Sequence, residues 1–412
     1  MPSAYPILLA LTALTVAPAF AQEVTYRGFA EVRTKPYWQT VPNDDDRVEV
    51  EGRVRFEPAL RPATWLAIAA SVEARIDNQE LVEREWRFDI RDRSLQRPAL
   101  ALRQLSATLR RGRVVADVGK QFIRWGKADI FNPTDRFAPR DFLGVTDDEF
   151  LGVTGVRVQY EQGGHSVDAA WVPEFTPSRI PLMGGRWTPE VPQTPGTIGV
   201  IELDPGFPSS QQYGARWNVR GSAFEFSLSY VDGVNHLPHF STTALSGQPL
   251  VALRREYAPL RSAGVDAALP LPWFTLKGEA AWLTTTSSIV DDVVQYVIQM
   301  ERQTGEFSLV WGYAGEVVTA RRSVFEFAPD RGLTSAVLGR AAYTLGPTRD
   351  IAVEAAVRQN LNGLVVKGWL SQAVGNRWRW TLGATVIAGD EQDFLGQYDR
   401  NSHLVASLRY SF

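Results

Sequence analysis

The sequence predicts an all-β fold, a transmembrane antiparallel up-and-down β-barrel of about eighteen strands, with sixteen as the alternative count. Three observations predict it: apolar residues at every second position over much of the chain, short connections alternating with long ones, and a last segment that alternates up to Phe412. After Gln22 no run of 18 or more apolar residues occurs. If the chain spans a membrane, a closed barrel is the remaining way to satisfy its backbone.

At the N-terminus, Ile7 to Val16 is an apolar stretch, and Ala19-Phe20-Ala21 is a small-x-small cleavage site before Gln22. This reads as a signal peptide over residues 1–21, although Lys and Arg are missing ahead of the apolar stretch. A transmembrane anchor fits less well, because the stretch is too short for about 30 Å of hydrocarbon. Residues 22–412 read as a single barrel domain, since no linker, charge block or composition step divides them.

The alternation is cleanest from Arg47 to Glu57. Val48, Val50, Gly52, Val54 and Phe56 share one face, while Arg47, Glu49, Glu51, Arg53, Arg55 and Glu57 share the other. The same period recurs at Tyr213 to Arg220, Phe224 to Tyr230, Phe307 to Tyr313, Ile351 to Arg358 and Trp378 to Val386. A soluble sandwich produces such alternation too, so connection lengths decide. Tight turns at Arg111-Gly112, Gly163-Gly164, Gly221-Ser222, Gly305, Gly346-Pro347 and Gly375-Asn376 alternate with long stretches such as Asn78 to Pro98, Arg124 to Leu151 and Pro173 to Gln211. Short turns on one rim and long loops on the other are the habit of membrane barrels. The connections near Thr285 to Val290 and Gln359 to Asn362 are short for their rim, which leaves sixteen strands open. Either even count puts both termini on one rim, the periplasmic one.

Composition removes several functions. A formal net charge of -3 over 412 residues gives no electrostatic reason for a nucleic-acid partner. The absence of cysteine excludes disulfides, thiolate metal sites and cysteine nucleophiles. His236 and His239 stand near Asp232, but Pro238 lies between them and no further ligands cluster, so a solvated loop pair is preferred to a metal site. Asp44-Asp45-Asp46 lacks the spaced ligands of a calcium loop and reads as a solvated turn. No nucleotide fingerprint, zinc signature or Ser-His constellation appears, so no catalytic residue, metal or cofactor is assigned and an enzyme is not expected. A plug-containing transporter is disfavoured, because the first strand begins almost at Gln22. Trp65, Trp171, Trp273, Trp282, Trp311 and Trp378 lie near strand ends or outward faces, where aromatic girdles form.

Leu404, Ala406, Leu408, Tyr410 and Phe412 resemble the C-terminal strand signature of outer-membrane barrels, with Leu408, Tyr410 and Phe412 as its assembly signal. That resemblance implies recognition by the barrel assembly machinery. VGKQFIRWGKADIFNPTDRFAPRD from Val118 to Asp141 and WVPEFTPSRIP from Trp171 to Pro181 resemble porin-like outer-membrane proteins of uncharacterised substrate, themselves distantly similar to alginate-export-type and other eighteen-stranded porins. The resemblance implies the fold, an outer-membrane location in a Gram-negative-type cell and lipid contact, and it supplies no solute.

Strand parity turns Arg27, Glu31, Arg47, Glu49, Arg53, Arg55, Glu73, Arg75, Lys277, Glu279, Glu354 and Arg358 inward. This predicts a wide polar interior, whose charges either line water and tune selectivity or brace the wall. Arg124 to Leu151, carrying Arg124, Lys127, Asp129, Asp135, Arg136, Arg140 and Asp141, is the candidate constriction; the alternative is an exposed surface loop. Pro173 to Gln211 reads as a mouth cap or outer surface, the latter preferred. The expected function is passive or facilitated diffusion of small polar or charged solutes. The alternatives are an occluded binding or structural barrel and, behind it, an outer-membrane hydrolase.

Overall fold

Side chains alternating every second residue can serve a membrane protein only if the strands close on themselves, so that every backbone group is paired and one face meets lipid. The computed structural model describes residues 23–42, 44–188, 199–244, 250–322, 329–360 and 362–412. The signal-peptide reading lies outside the described residues. The first strands are β1 (Glu23–Pro36), β2 (Val48–Ala63), β3 (Leu66–Asp77), β4 (Leu100–Arg111), β5 (Val114–Gln121) and β6 (Val153–Gln162). The chain continues through β7 (His165–Val172), β8 (Gln212–Arg220), β9 (Glu225–Val234), β10 (Pro259–Pro270), β11 (Thr275–Thr284) and β12 (Asp292–Thr304). It ends with β13 (Phe307–Ala320), β14 (Ala336–Thr344), β15 (Arg349–Arg358), β16 (Leu364–Val374), β17 (Trp378–Ala388) and β18 (His403–Ser411).

The main sheet holds 19 strands, one of them the two-residue Phe88–Asp89 running parallel to β4. The other eighteen pair antiparallel in chain order, and β1 pairs β18 through Glu31↔Arg409 and Val32↔Leu408. The barrel is therefore closed with eighteen strands. The two short connections, after Thr284 and after Arg358, belong to the long-loop rim, so the count of sixteen is set aside. The N-terminal end of β1 and the C-terminal end of β18 share the rim of the tight turns. Closure runs to the last residue, because Gly28 and Phe412 exchange backbone hydrogen bonds of 2.9 and 3.0 Å. At Gly112 and Gly375 the turns need φ of 58° and 61°, which only glycine adopts without strain.

Burial is inverted relative to a soluble protein. On β2, Val48, Val50, Val54 and Phe56 are exposed while Glu49, Glu51 and Arg53 are buried, the pattern of a wall facing lipid outside and a polar lumen inside. Trp65, Trp273 and Trp378 are exposed at the tight-turn rim, and Trp171 and Trp282 near the other, giving two aromatic belts.

The lumen departs from a wide polar interior on the long-loop side. There the inward face of β12 to β17 carries Val297, Ala314, Leu338, Ala356, Val365 and Ile387, all buried against loop residues including Phe131, Trp187 and Tyr398. The inward face of β1 to β4 is ionic instead, with Glu31, Lys35, Glu51, Arg53, Glu73 and Arg75 buried. Parity identifies inward positions, but the loops determine whether those positions meet water.

Candidate constriction inside the barrel

After Gln121 the chain enters the barrel and returns to the wall at Val153. Apolar side chains seat the entry: Ile123, Trp125 and Phe137 pack on Val153, Ala170, Val172 and Val231. Gly214 on β8 leaves the room, since a Cβ there would lie 2.6 Å from the Phe137 ring. Buried polar groups in this seat find partners, as they must. The Trp125 indole N–H donates to Asp168 at 3.0 Å, and Asp135 accepts the backbone N–H groups of Trp125 and Gly126 at 2.5 and 2.6 Å.

The descending part lies along β9 to β12. The Glu279 carboxylate accepts the N–H groups of Lys127, Ala128 and Thr134 at 3.0, 3.2 and 2.8 Å, and the Thr134 hydroxyl at 2.8 Å. Asp129 pairs with Lys277 at 3.0 Å and Lys127 with Asp266 at 3.2 Å. The segment then forms a hairpin, Arg140–Gly144 with Asp147–Phe150, across the lumen. On the ionic wall Asp147 meets Lys35 at 3.1 Å. Glu149 meets Arg55 at 2.6 Å, Arg53 and Arg103 at 3.4 Å, and Arg75. Farther round the same side, three strands from β1, Lys367 of β16 donates to the Thr146 carbonyl. The segment is thus tied to β9 to β12 and, across the lumen, to β1 to β4 and β16, and is not a surface loop.

These neighbours set the charge states of the hairpin. The surrounding guanidiniums hold Glu149 far below the ordinary carboxylate range against the opposing cost of its burial, and Lys35 does the same for Asp147. Buried Asp141, beside Arg97 at 2.9 Å and Arg179 at 3.4 Å, is lowered to about 2; burial alone would raise it, and the guanidiniums outweigh that effect.

The expected site residues take different places. Lys127, Asp129 and Asp135 anchor the segment, and Arg124 lies 4.1 Å from the Phe150 ring centroid. Arg136 donates to the Pro133 carbonyl at 2.7 Å, and Arg140 pairs with Asp148 at 2.5 Å. Asp141 is sealed in the ion network. Of the inward set, Arg47 lies just before β2 and is exposed at the rim, because the sheet begins only at Val48. Glu49 is buried with Lys35 and Tyr37 at 2.9 Å each. Arg53, Arg55, Glu73 and Arg75 are compensated by one another and Glu149 and so brace the wall. Arg358 bonds Asp393 at 2.8 Å and fixes the last loop. Glu354 faces a chamber beside the hairpin. Leu408, Tyr410 and Phe412 lie on the outer face of the closing strand.

Sequence reasoning missed Asp147 and Glu149, although four arginines turned inward from adjacent strands demand carboxylates and the acid run Asp147-Asp148-Glu149 was in reach. Pro173 to Gln211 also differs from a surface reading. Phe175, Arg179, Ile180 and Trp187 are buried, so its first part caps the mouth; residues 189–198 lie outside the described residues. His236 and His239 are buried rather than solvated. The His236 ring lies 2.7 Å from the Thr176 carbonyl and 3.1 Å from that of Arg136, and burial lowers its pKa to about 4. Asp44 meets Arg186 at 3.2 Å, so the acid run there is partly engaged. Among the described residues no group of three or more His, Asp or Glu is placed to hold a metal ion.

No protein-family model matches the chain, and no curated protein matches its sequence. Solved structures match its shape. OpdQ of Pseudomonas aeruginosa superposes with a TM-score of 0.54 at 10% identity, covering 96% of this chain and 99% of that one. The outer-membrane protein OpdK of the same organism gives 0.54 at 10%, covering 95% and 98%. A BenF-like porin from Pseudomonas fluorescens gives 0.53 at 9%, covering 95% and 98%. At these identities the likeness is one of fold, and the fold shared is that of an outer-membrane porin barrel.

Proposed function

We propose that this chain is an outer-membrane channel for passive or facilitated diffusion of small polar or charged solutes, with the segment from Phe122 to Gly152 narrowing its path. The observation that carries the reading is that segment's position inside a closed, lipid-faced barrel, bonded to β9 to β12 on one side and to ionic residues of β1 to β4 and to β16 on the other. Passage through such a pore is selected by width and charge and needs no reaction chemistry. The titratable groups of the hairpin are committed to ion pairs and are poor acid-base catalysts, which supports a channel over a hydrolase. In this reading the tight turns and both termini face the periplasm, the outer belt meets lipid, and Leu408, Tyr410 and Phe412 present the strand recognised by the assembly machinery.

The test is single-channel conductance of the refolded mature protein in a planar bilayer. Discrete open steps, with an ion preference in the reversal potential, are expected. An inserted but silent barrel would favour an occluded binding protein, a reading supported by the packing of Trp125, Phe131 and Phe137 in the lumen.

A further inference from the structure

A chamber of about 160 Å³ lies between the hairpin and the β15–β16 wall. At ~10–15 Å³ per water on this measure it holds on the order of ten waters, far more than a packing void. Its lining is two-sided. Phe131, Phe142, Leu237, Leu333 and Phe394 form an apolar side, more apolar surface than a path for bare ions requires. The other side carries Glu354 and Lys367, which stand opposite each other in the register of β15 and β16.

Opposed cross-strand charges normally pair. Here Lys367 is drawn to the Thr146 carbonyl, and Glu354 makes no hydrogen bond or ion pair with any described residue. Arg340 on β14 is the cross-strand neighbour of Glu354 on its other side and lies 5.7 Å from the Trp369 ring centroid. The remaining chamber charges are occupied. Arg140 pairs with Asp148, Asp135 takes backbone N–H groups, and Arg136 is bonded to Pro133. The chamber therefore presents a carboxylate without a partner among the described residues, beside an ammonium whose hydrogen bond goes to a neutral carbonyl and whose charge is felt by Asp147.

We infer that this chamber binds a small zwitterion with an apolar body, of the chemical class of the apolar α-amino acids, with the solute ammonium at Glu354 and its carboxylate at Lys367. This rests on the channel reading and names the solute class of the same path. Lys367 has donors left after Thr146, since an ammonium carries three. Opposed Cβ atoms stand ~5 Å apart, a spacing that charged groups on one carbon can bridge. A solute with a single charge meets one of the two residues favourably and the other unfavourably. The dipolar ion satisfies both, and its side chain covers the apolar side.

The experiment uses the refolded barrel in detergent, with heat-modifiable gel mobility as the check of folding. Equilibrium dialysis compares phenylalanine, 3-phenylpropanoate and 2-phenylethylamine, and KCl conductance is read separately in bilayers. Phenylalanine is expected to bind at least about tenfold more tightly than either analogue. Glu354→Gln is expected to weaken phenylalanine about tenfold and leave 3-phenylpropanoate no weaker. Equal binding of all three overturns the inference, and so does 2-phenylethylamine binding as well as phenylalanine, which would mark a simple cation site. A folded Glu354→Gln barrel that keeps full phenylalanine affinity overturns it as well. Loss of KCl conductance with phenylalanine binding intact would strike the channel reading and leave the binding site standing.

Discussion

Replacing Glu149 by Gln tests how the inward hairpin is held. Its side chain is 30% exposed, and its carboxylate receives Arg55 at 2.6 Å, Arg53 and Arg103 at 3.4 Å, and Arg75. Breaking one partner of a buried ion cluster costs about 3–5 kcal/mol, because the remaining charges stay buried without compensation. Gln keeps the volume and one acceptor, so the lower end applies, about 3 kcal/mol or ~100-fold in the population of a displaced hairpin. The assay is limited trypsin digestion after Arg140 in detergent, in the regime where opening is fast and cleavage follows the open population. Glu149→Gln is expected to be cut about 100-fold faster and to show a noisier, larger conductance. Cleavage and conductance equal to those of the parent would show that the arginine cluster does not hold the hairpin.

Three further outcomes follow from the same contacts. Glu149, Asp147 and Asp141 have depressed folded-state values, so their anchoring is complete above the unfolded carboxylate range near 4 and fades as pH falls toward about 2 for Asp141; conductance noise should be flat across neutral pH and rise only in strong acid. His236 is lowered to about 4 from an ordinary value near 6.5, so its seat between Thr176 and Arg136 weakens as pH falls across that interval, by up to about 3 kcal/mol; hydrogen exchange of the cap should report this and His236→Asn should abolish the pH dependence. Gly214→Val places a Cβ 2.6 Å from the Phe137 ring and should lift the entry of the segment, read as raised trypsin sensitivity in a barrel that still shows heat-modifiable mobility.

The wall was legible because a lipid-facing barrel imposes a period of two on every strand. Val48, Val50, Val54 and Phe56 announce it in β2, and the short and long connections order it. The inward folding of residues 122–152 was legible only as one of two options, since length, proline and charge do not say which side of the wall a loop takes. What decides it is contact across long sequence separations. Glu149 meets arginines 46 to 96 positions earlier, and Glu279 reaches backbone groups 145 to 152 positions earlier. Periodicity carries no record of such pairings. For the same reason it shows Arg55 and Glu354 as equivalent inward charges, whereas the hairpin neutralises one and leaves the other facing the chamber. The buried seat of His236 depends on Thr176, 60 positions away, and a local reading of the loop gives only a solvated pair.

The most direct test of the central claim compares single-channel conductance of the parent barrel with that of a variant lacking Asp129 to Arg140. If the inward segment narrows an aqueous path, the parent shows discrete steps and the shortened chain larger ones with altered ion preference. Identical conductance in two correctly folded barrels would contradict the account.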